Sequence, residues 1–328
     1  MNPLVSFIIP VFNAELFIVE TIDSALHCGY EPIEIILIDD GSQDSSYEIC
    51  KTIAENHKNI HLYCHPNREN KGVSKTRKLG IEKSQGNFIY FLDADDKIFS
   101  GTLSSYIEVF LKYQDVVLVH GEIQAKIEVS GLPNPEIGFV IGASNKKYRL
   151  EDEPYYLKSD RICTSTVCVR KNAICSFNID FSQIFPMGED WLMWTILSKK
   201  GFYYYFAHQV VQYRVHKNST TFLSHQKGQQ YLNYNLLEYY LCLIANSNDQ
   251  EMNNAVKNNI LDLMSDICMG YQQKEQHNKI DCNIFSQANS SELLKEKVSQ
   301  LEKSWGYYFY FIFIIKNFWR KLFCVKKR

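Results

Sequence analysis

The chain lacks an excess of charge of either sign: 35 Lys and Arg stand against 37 Asp and Glu, a formal net charge of -2. Binding to nucleic acid rests on cations facing phosphate, so no nucleic-acid partner is expected. Glycine and proline are sparse, 15 and 8 of 328 residues, which excludes a collagenous or linker-dominated chain. No stretch reaches the roughly 20 apolar residues that a spanning helix needs. Basic residues are missing before the first apolar run, Leu4 to Phe12, which is short and strand-like rather than a secretory leader. No CxxC pair occurs among the 10 cysteines, and Cys163, Cys168 and Cys175 lack the paired spacing of a zinc site. Free buried thiols in a reducing compartment are expected instead. Neither GxGxxG nor GxxxxGK followed by Ser or Thr occurs, which removes dinucleotide and P-loop sites. What is present is a globular balance, 45% hydrophobic and 22% charged, with an unusual 14% of aromatics. The length suits about two units.

The first hundred residues alternate between two periods. Val5 to Val11 is a near-continuous apolar run, as in a strand covered on both faces. Residues 14 to 27 place Leu16, Val19, Ile22 and Leu26 on one helical stripe. Glu34 to Ile38 reads as a second buried strand, followed by a helix from about Asp44, a strand over Ile60 to Cys64 and a helix over Val73 to Lys83. Asn87 to Leu92 is a further strand. This order predicts a parallel α/β sheet, and ligands of such sheets bind beyond the carboxyl ends of the strands. Asn13, Asp39-Asp40 and Asp93-Ala94-Asp95-Asp96 all fall there, on a rim built from carboxylates. Further on, Cys163 to Val169 reads as a strand and Glu189 to Lys199 as an amphipathic helix stopped by Gly201. Trp191 and Trp194 suit the core of that helix better than a sugar platform. Phe202 to Phe206 and Val210 to Tyr213 read as two strands, and helix dominates from about Leu223.

Clustered carboxylates at a strand end suit a hard divalent cation, because oxygen ligands fit Mg²⁺ or Mn²⁺ and magnesium uses one or two carboxylates beside substrate phosphates. Asp-rich turns at strand ends are also common as solvated caps, so the tetrapeptide alone decides little. Five segments in order are more specific: Ser6 to Glu15, Ile38 to Asp44, Lys71 to Ile81, Phe91 to Asp96 and Gly188 to Trp191. Together, and more loosely with Tyr213 to Ser219, they resemble family 2 glycosyltransferases over about residues 3 to 221. One departure is Lys78, where that family commonly has Asn after the Arg.

The resemblance implies a GT-A fold, a Rossmann-like nucleotide-sugar-binding sheet with helices on both faces, here with a mostly helical C-terminal extension. It implies inverting transfer of a hexose-type sugar from a nucleotide-sugar donor, UDP-linked, to a glycan or lipid-linked acceptor of bacterial surface polysaccharide synthesis. Pro10, Phe12 and Glu15 then embrace the base, and Asp40, or Asp39 if the register slips, accepts from the uracil imide. Arg77 faces diphosphate, Asp93 contacts ribose or donor sugar, and Asp95 serves donor and metal. Asp95 and Asp96 hold Mn²⁺ or Mg²⁺, with His216 as a further candidate ligand. Asp190 matches the family's base, with Glu189 as the other acid of the pair. Inversion needs one base and a single in-line displacement.

The expected organisation is a transferase domain over 1–222, divided into a nucleotide half 1–122 and an acceptor half 123–222, then a helical region 223–328. Its tail, 305–328, sets aromatics beside Lys316, Arg320, Lys321, Lys326, Lys327 and Arg328 without an acid after Ile315. That composition suits an anionic membrane surface, or a helix docked on the catalytic domain. A cytoplasmic enzyme, peripheral on the inner face of the cell membrane, is expected. The alternatives are another nucleotide-sugar-dependent transferase, or a catalytically silent carbohydrate-binding or scaffold protein on the same fold.

Overall fold

The computed structural model describes residues 2–129, 142–153, 157, 162–175, 189–227 and seven isolated helical positions between 239 and 259. The tail and nearly all of the expected helical extension lie outside the described residues. The chain divides into two units, Met1–Leu263 and Met264–Arg328, and the described residues all belong to the first.

Among the described residues nine strands form one mixed sheet: β1 Val5–Val11, β2 Ile33–Asp39, β3 Ile60–Cys64, β4 Phe88–Phe91, β5 Lys97–Ile98, β6 Val116–Ile127, β7 Lys146–Tyr148, β8 Cys168–Arg170 and β9 Phe202–Val215. Their order is β3-β2-β1-β4-β8-β6-β9-β5, with β7 on β9. The first four run parallel, and the sheet turns mixed where β8 pairs antiparallel to β4 and to β6. The helices are α1 Ile18–Leu26, α2 Ser46–Asn56, α3 Val73–Lys83, α4 Thr102–Lys112, α5 Lys171–Cys175, α6 Glu189–Leu197 and α7 Thr220–Lys227. Among the described residues no helix is long and apolar enough to cross a membrane.

The period of two divides the strands between two covers. Phe7, Ile9, Ile35 and Leu37 join a core with Ile18, Ile22 and Ala25 of α1 and Leu103, Tyr106 and Phe110 of α4. On the other face Ile8 and Ile38 meet α3 so closely that a Cβ on Gly80 would collide with both side chains. The helix can lie that near the sheet because Gly80 has no side chain. Each fully buried aliphatic contributes about 1.5–3 kcal/mol, and β2 is buried along its whole length. The acid rim thus stands at the end of buried strands.

Four local expectations are corrected. Helix α1 starts at Ile18, so Leu16 precedes it and is 77% exposed, and Val19 is 52% exposed. The buried stripe is Ile18, Thr21, Ile22 and Ala25, set by the face that α1 turns to the sheet. Residues 164–166 form a 3-10 turn instead of a strand, and only Cys168–Arg170 pairs. The two aromatic strands are one, β9, continuous through register shifts against β6 at Gly121 and Glu122. Helix α6 is also less amphipathic than its charged start suggests: Leu192 to Leu197 are all buried, and Trp194 packs edge-on against Phe91.

On β6, His120 is wholly buried between Tyr148 and Tyr205 and shares a 2.7 Å hydrogen bond with Tyr148 Oη. Burial, then Lys146, pushes its imidazole down to about 3. A folded-state value below the unfolded one means stability present above the unfolded value and lost as pH falls. Between about pH 7 and pH 5 the wild type should lose thermal stability faster than His120→Gln, read from melting curves of both. Parallel slopes would show that His120 does not carry the loss.

Candidate active site

Because β2, β1 and β4 are adjacent and parallel, their carboxyl ends share one edge, and the sequence order reverses between β1 and β4. That is the switch point where open α/β sheets bind ligands. The segment after β1 is laced to the one after β2. Gln43 N–H donates to Asn13 Oδ1 at 2.8 Å, Ala14 N–H to Ser46 Oγ at 2.8 Å and Ser45 N–H to Glu15 Oε2 at 2.9 Å. Pro10 is half-buried and Phe12 is 49% exposed, its ring open for stacking.

Asp39 and Asp40 are both buried, and both are bound to backbone. Asp39 accepts from Gly41 N–H at 3.2 Å and from Ser42 N–H. Asp40 accepts from Lys71 N–H at 2.7 Å and Gly72 N–H at 3.0 Å, which fixes the entry to α3. Gly41 sits at φ +78°, and a Cβ there would come within 2.7 Å of the Arg68 carbonyl. The turn after β2 therefore admits only glycine. Arg68, stacked 3.7 Å over Tyr47, lies 3.7 Å from Asp39. Nothing in the sequence distinguishes this arginine from a surface residue.

The acid loop after β4 divides its carboxylates. Asp96 is 1% exposed and turned inward: Ser165 Oγ and Arg214 N–H donate to its two oxygens. Burial first, then Asp95 and Asp93, hold its carboxyl well above the usual range. Asp95 faces outward, its Oδ2 3.0 Å from His216 Nε2, and His216 packs on Phe17. Asp93 takes Arg77 Nη2 at 2.7 Å, while Nη1 of the same guanidinium donates to Glu189.

Arg77 is thus buried between two acids from distant parts of the chain. Burial alone would lower its value, but Asp93, Glu189 and Asp190 raise it, so it stays charged. Burial pushes the Glu189 carboxyl up to about 7, with Arg77 opposing and Asp190 adding to the rise. One guanidinium shared among several acids cannot fully offset the burial of any of them. Asp190 opens α6 beside this pair. Its Oδ2 accepts from Thr164 Oγ1 at 2.6 Å and its Oδ1 from the Trp191 N–H at 2.8 Å. Thr164 and Ser165 carry no signal in the sequence beyond strand composition, yet their side chains reach both acids.

Residues 6–175 match the family model described as Glycosyl transferase family 2. The chain belongs to that family. Its mixed sheet with helices on both faces is the GT-A fold, shared with TarS of S. aureus, solved with UDP, at a TM-score of 0.58 and 18% identity over 78% of this chain and 70% of that one. Among relatives, the minor teichoic acid biosynthesis protein GgaB of Bacillus subtilis is 29% identical over 73% of this chain and 26% of its own. WfaP of Escherichia coli, a UDP-Glc:alpha-D-GlcNAc-diphosphoundecaprenol beta-1,3-glucosyltransferase, is 30% identical over 66% of this chain and 80% of its own. Against the first relatives it matches, the chain spans less than half of their length, 46%, 26% and 32%.

Removing one partner of a buried ion pair leaves a charge without compensation. Arg77→Met should therefore cost the protein about 3–5 kcal/mol, measured by urea unfolding, and adding Glu189→Gln should recover part of it. Two independent, additive losses would show that the pair is not coupled.

Proposed function

We propose that the chain transfers a hexose-type sugar from a UDP-linked donor, with inversion, to a glycan acceptor carried on a lipid diphosphate. The observation that carries the reading is Asp190, held by two donors at the start of α6 beside the acid loop, on the rim where β1, β2 and β4 end. Family membership supports transfer. The donor and acceptor printed in the name of WfaP, and the teichoic acid of GgaB, support the substrate class. A silent scaffold would have no need to hold Asp190 so firmly. The catalytic part is assigned to residues 1–222.

Asp190 takes the proton of the attacking acceptor hydroxyl. A carboxylate offers about four lone-pair sites, and its two donors, one on each oxygen, leave each oxygen a lone pair to receive it. Phe12 stacks on the base, with Pro10 and Glu15 beside it. Asp39 and Asp40 shape the uracil end, where Arg68 closes over Tyr47. Arg77 holds Asp93 toward the donor rather than facing diphosphate alone. Asp93, Glu189 and Asp190 share the one guanidinium of Arg77, and Asp95 lies on the same loop as Asp93, which leaves an acid excess for a cation to offset. The outward oxygen of Asp95 and the imidazole of His216 would hold Mn²⁺ or Mg²⁺, whereas Asp96 is buried and turned inward to Ser165 and the Arg214 amide. A divalent ion held by Asp95 and His216 would supply Lewis-acid neutralisation of the diphosphate leaving group.

The test measures UDP release from a panel of UDP-sugars with a GlcNAc-diphospholipid acceptor, with melting curves reporting donor binding. Asp190→Asn should lower turnover about a hundredfold or more with donor binding kept. Asp95→Ala and EDTA should each abolish turnover. Wild-type rates in EDTA remove the metal assignment, an active Asp190→Asn removes the base, and no UDP release from any donor removes the proposed function.

The tail, outside the described residues, is assigned to an anionic leaflet on its composition alone: the apolar run Trp305 to Ile315 precedes six cations. The full chain should sediment with anionic vesicles and be partly released by salt. Retention in the supernatant, with a truncation before Trp305 that melts lower, would make the tail a structural segment.

A further inference from the structure

Thr164 and Ser165 are consecutive, buried, and point their hydroxyls at the two ends of the site. Thr164 Oγ1 donates to Asp190, while Ser165 Oγ donates to Asp96 and accepts from the Asp93 N–H at 3.1 Å. Their backbone is fixed independently of either acid. Tyr90 Oη donates to the Ser165 carbonyl at 2.9 Å and Tyr106 Oη to the Thr166 carbonyl at 2.9 Å, and both tyrosines are wholly buried. Thr166 Oγ1 and N–H both donate to the Cys163 carbonyl, and Phe91 N–H reaches the Val167 carbonyl at 3.0 Å. The turn is thus bolted to β4 and α4.

A short carboxylate at the first turn of a helix can rotate about its side-chain bonds, and the Trp191 N–H alone does not set the plane of both oxygens. We propose that Thr164 is a positioning residue: its hydroxyl holds the Asp190 carboxylate in the orientation that receives the acceptor proton. The turn 163–167 then fixes that carboxylate relative to the acid loop of the donor. The proposal rests on the reading of Asp190 as the base. Its reach goes further, because it assigns the distance between base and donor to two neighbouring hydroxyls on one clamped turn.

Thr164→Val keeps the shape and removes the hydroxyl, and Thr164→Ser keeps the hydroxyl. Turnover measured as UDP release should fall about ten- to a hundredfold in Thr164→Val, with KM for the donor and melting temperature nearly unchanged, since misplacement of a reacting group costs rate rather than binding. Thr164→Ser should restore most of it. In an Asp190→Asn background Thr164→Val should add nothing, because residues acting as one unit are not additive. If Asp190→Asn is inactive and Thr164→Val turns over like wild type, the positioning role is wrong while the base stands. An active Asp190→Asn overturns the base and this role together. Equal losses in kcat and melting temperature that Thr164→Ser does not repair would make Thr164 merely structural. Should Thr164→Val fail to fold, a folded but slow Thr164→Ser overturns the proposal, and a near wild-type one supports it.

Discussion

Crowding several carboxylates at one edge of a sheet is unfavourable, and the guanidinium of Arg77 is what makes it tenable. It comes from α3, binds Asp93 of the loop after β4, and binds Glu189 at the start of α6. Planar and always charged, it can face two acids at once in a way that lysine could not. Its rigidity is borrowed from α3, which Gly80 lets settle directly on Ile8 and Ile38. A packing contact in the core thereby sets where the acids of the rim can stand.

The same economy explains the inward turn of Asp96. With Ser165 and the Arg214 backbone as partners it works as a bracket between loop and β9, leaving Asp95 to face outward with His216. The acid that looks equivalent in the sequence has become part of the frame. Its high protonation value follows from burial beside two like charges.

Much of this fold is legible in the sequence where a period is strong. β1, β3 and α3 fall where the apolar patterns put them, and the rim of acids follows from strand ends alone. The family's motifs supply what spacing cannot. Illegible are features that depend on contacts between distant residues. Thr164-Ser165-Thr166 has the composition of a strand, yet bonds to the Cys163 carbonyl close it into a turn that the distant Tyr90 and Tyr106 hold in place. No local signal separates Asp95 from Asp96, since which one turns inward is decided by Ser165, some seventy residues away. Leu16 misleads because its hydrophobicity fits a helix that begins after it.

Strand β9 runs from its pairing with β7 near Tyr203 to Arg214 and His216 at the rim, and it absorbs extra residues around Ala207 and His208. Asn145 holds the Ala207 N–H and Thr102 holds the Val210 carbonyl, so the slack is locked in place. Side chains on a strand alternate faces, which makes this irregularity a phase setter. Beyond it, one residue gained or lost would exchange inside for outside, carrying the Arg214 amide away from Asp96 and the His216 ring away from Asp95. Length in this strand is therefore under as tight a control as the identity of its buried side chains, Val210 and Val211 among them: an insertion there shifts the phase of everything beyond it.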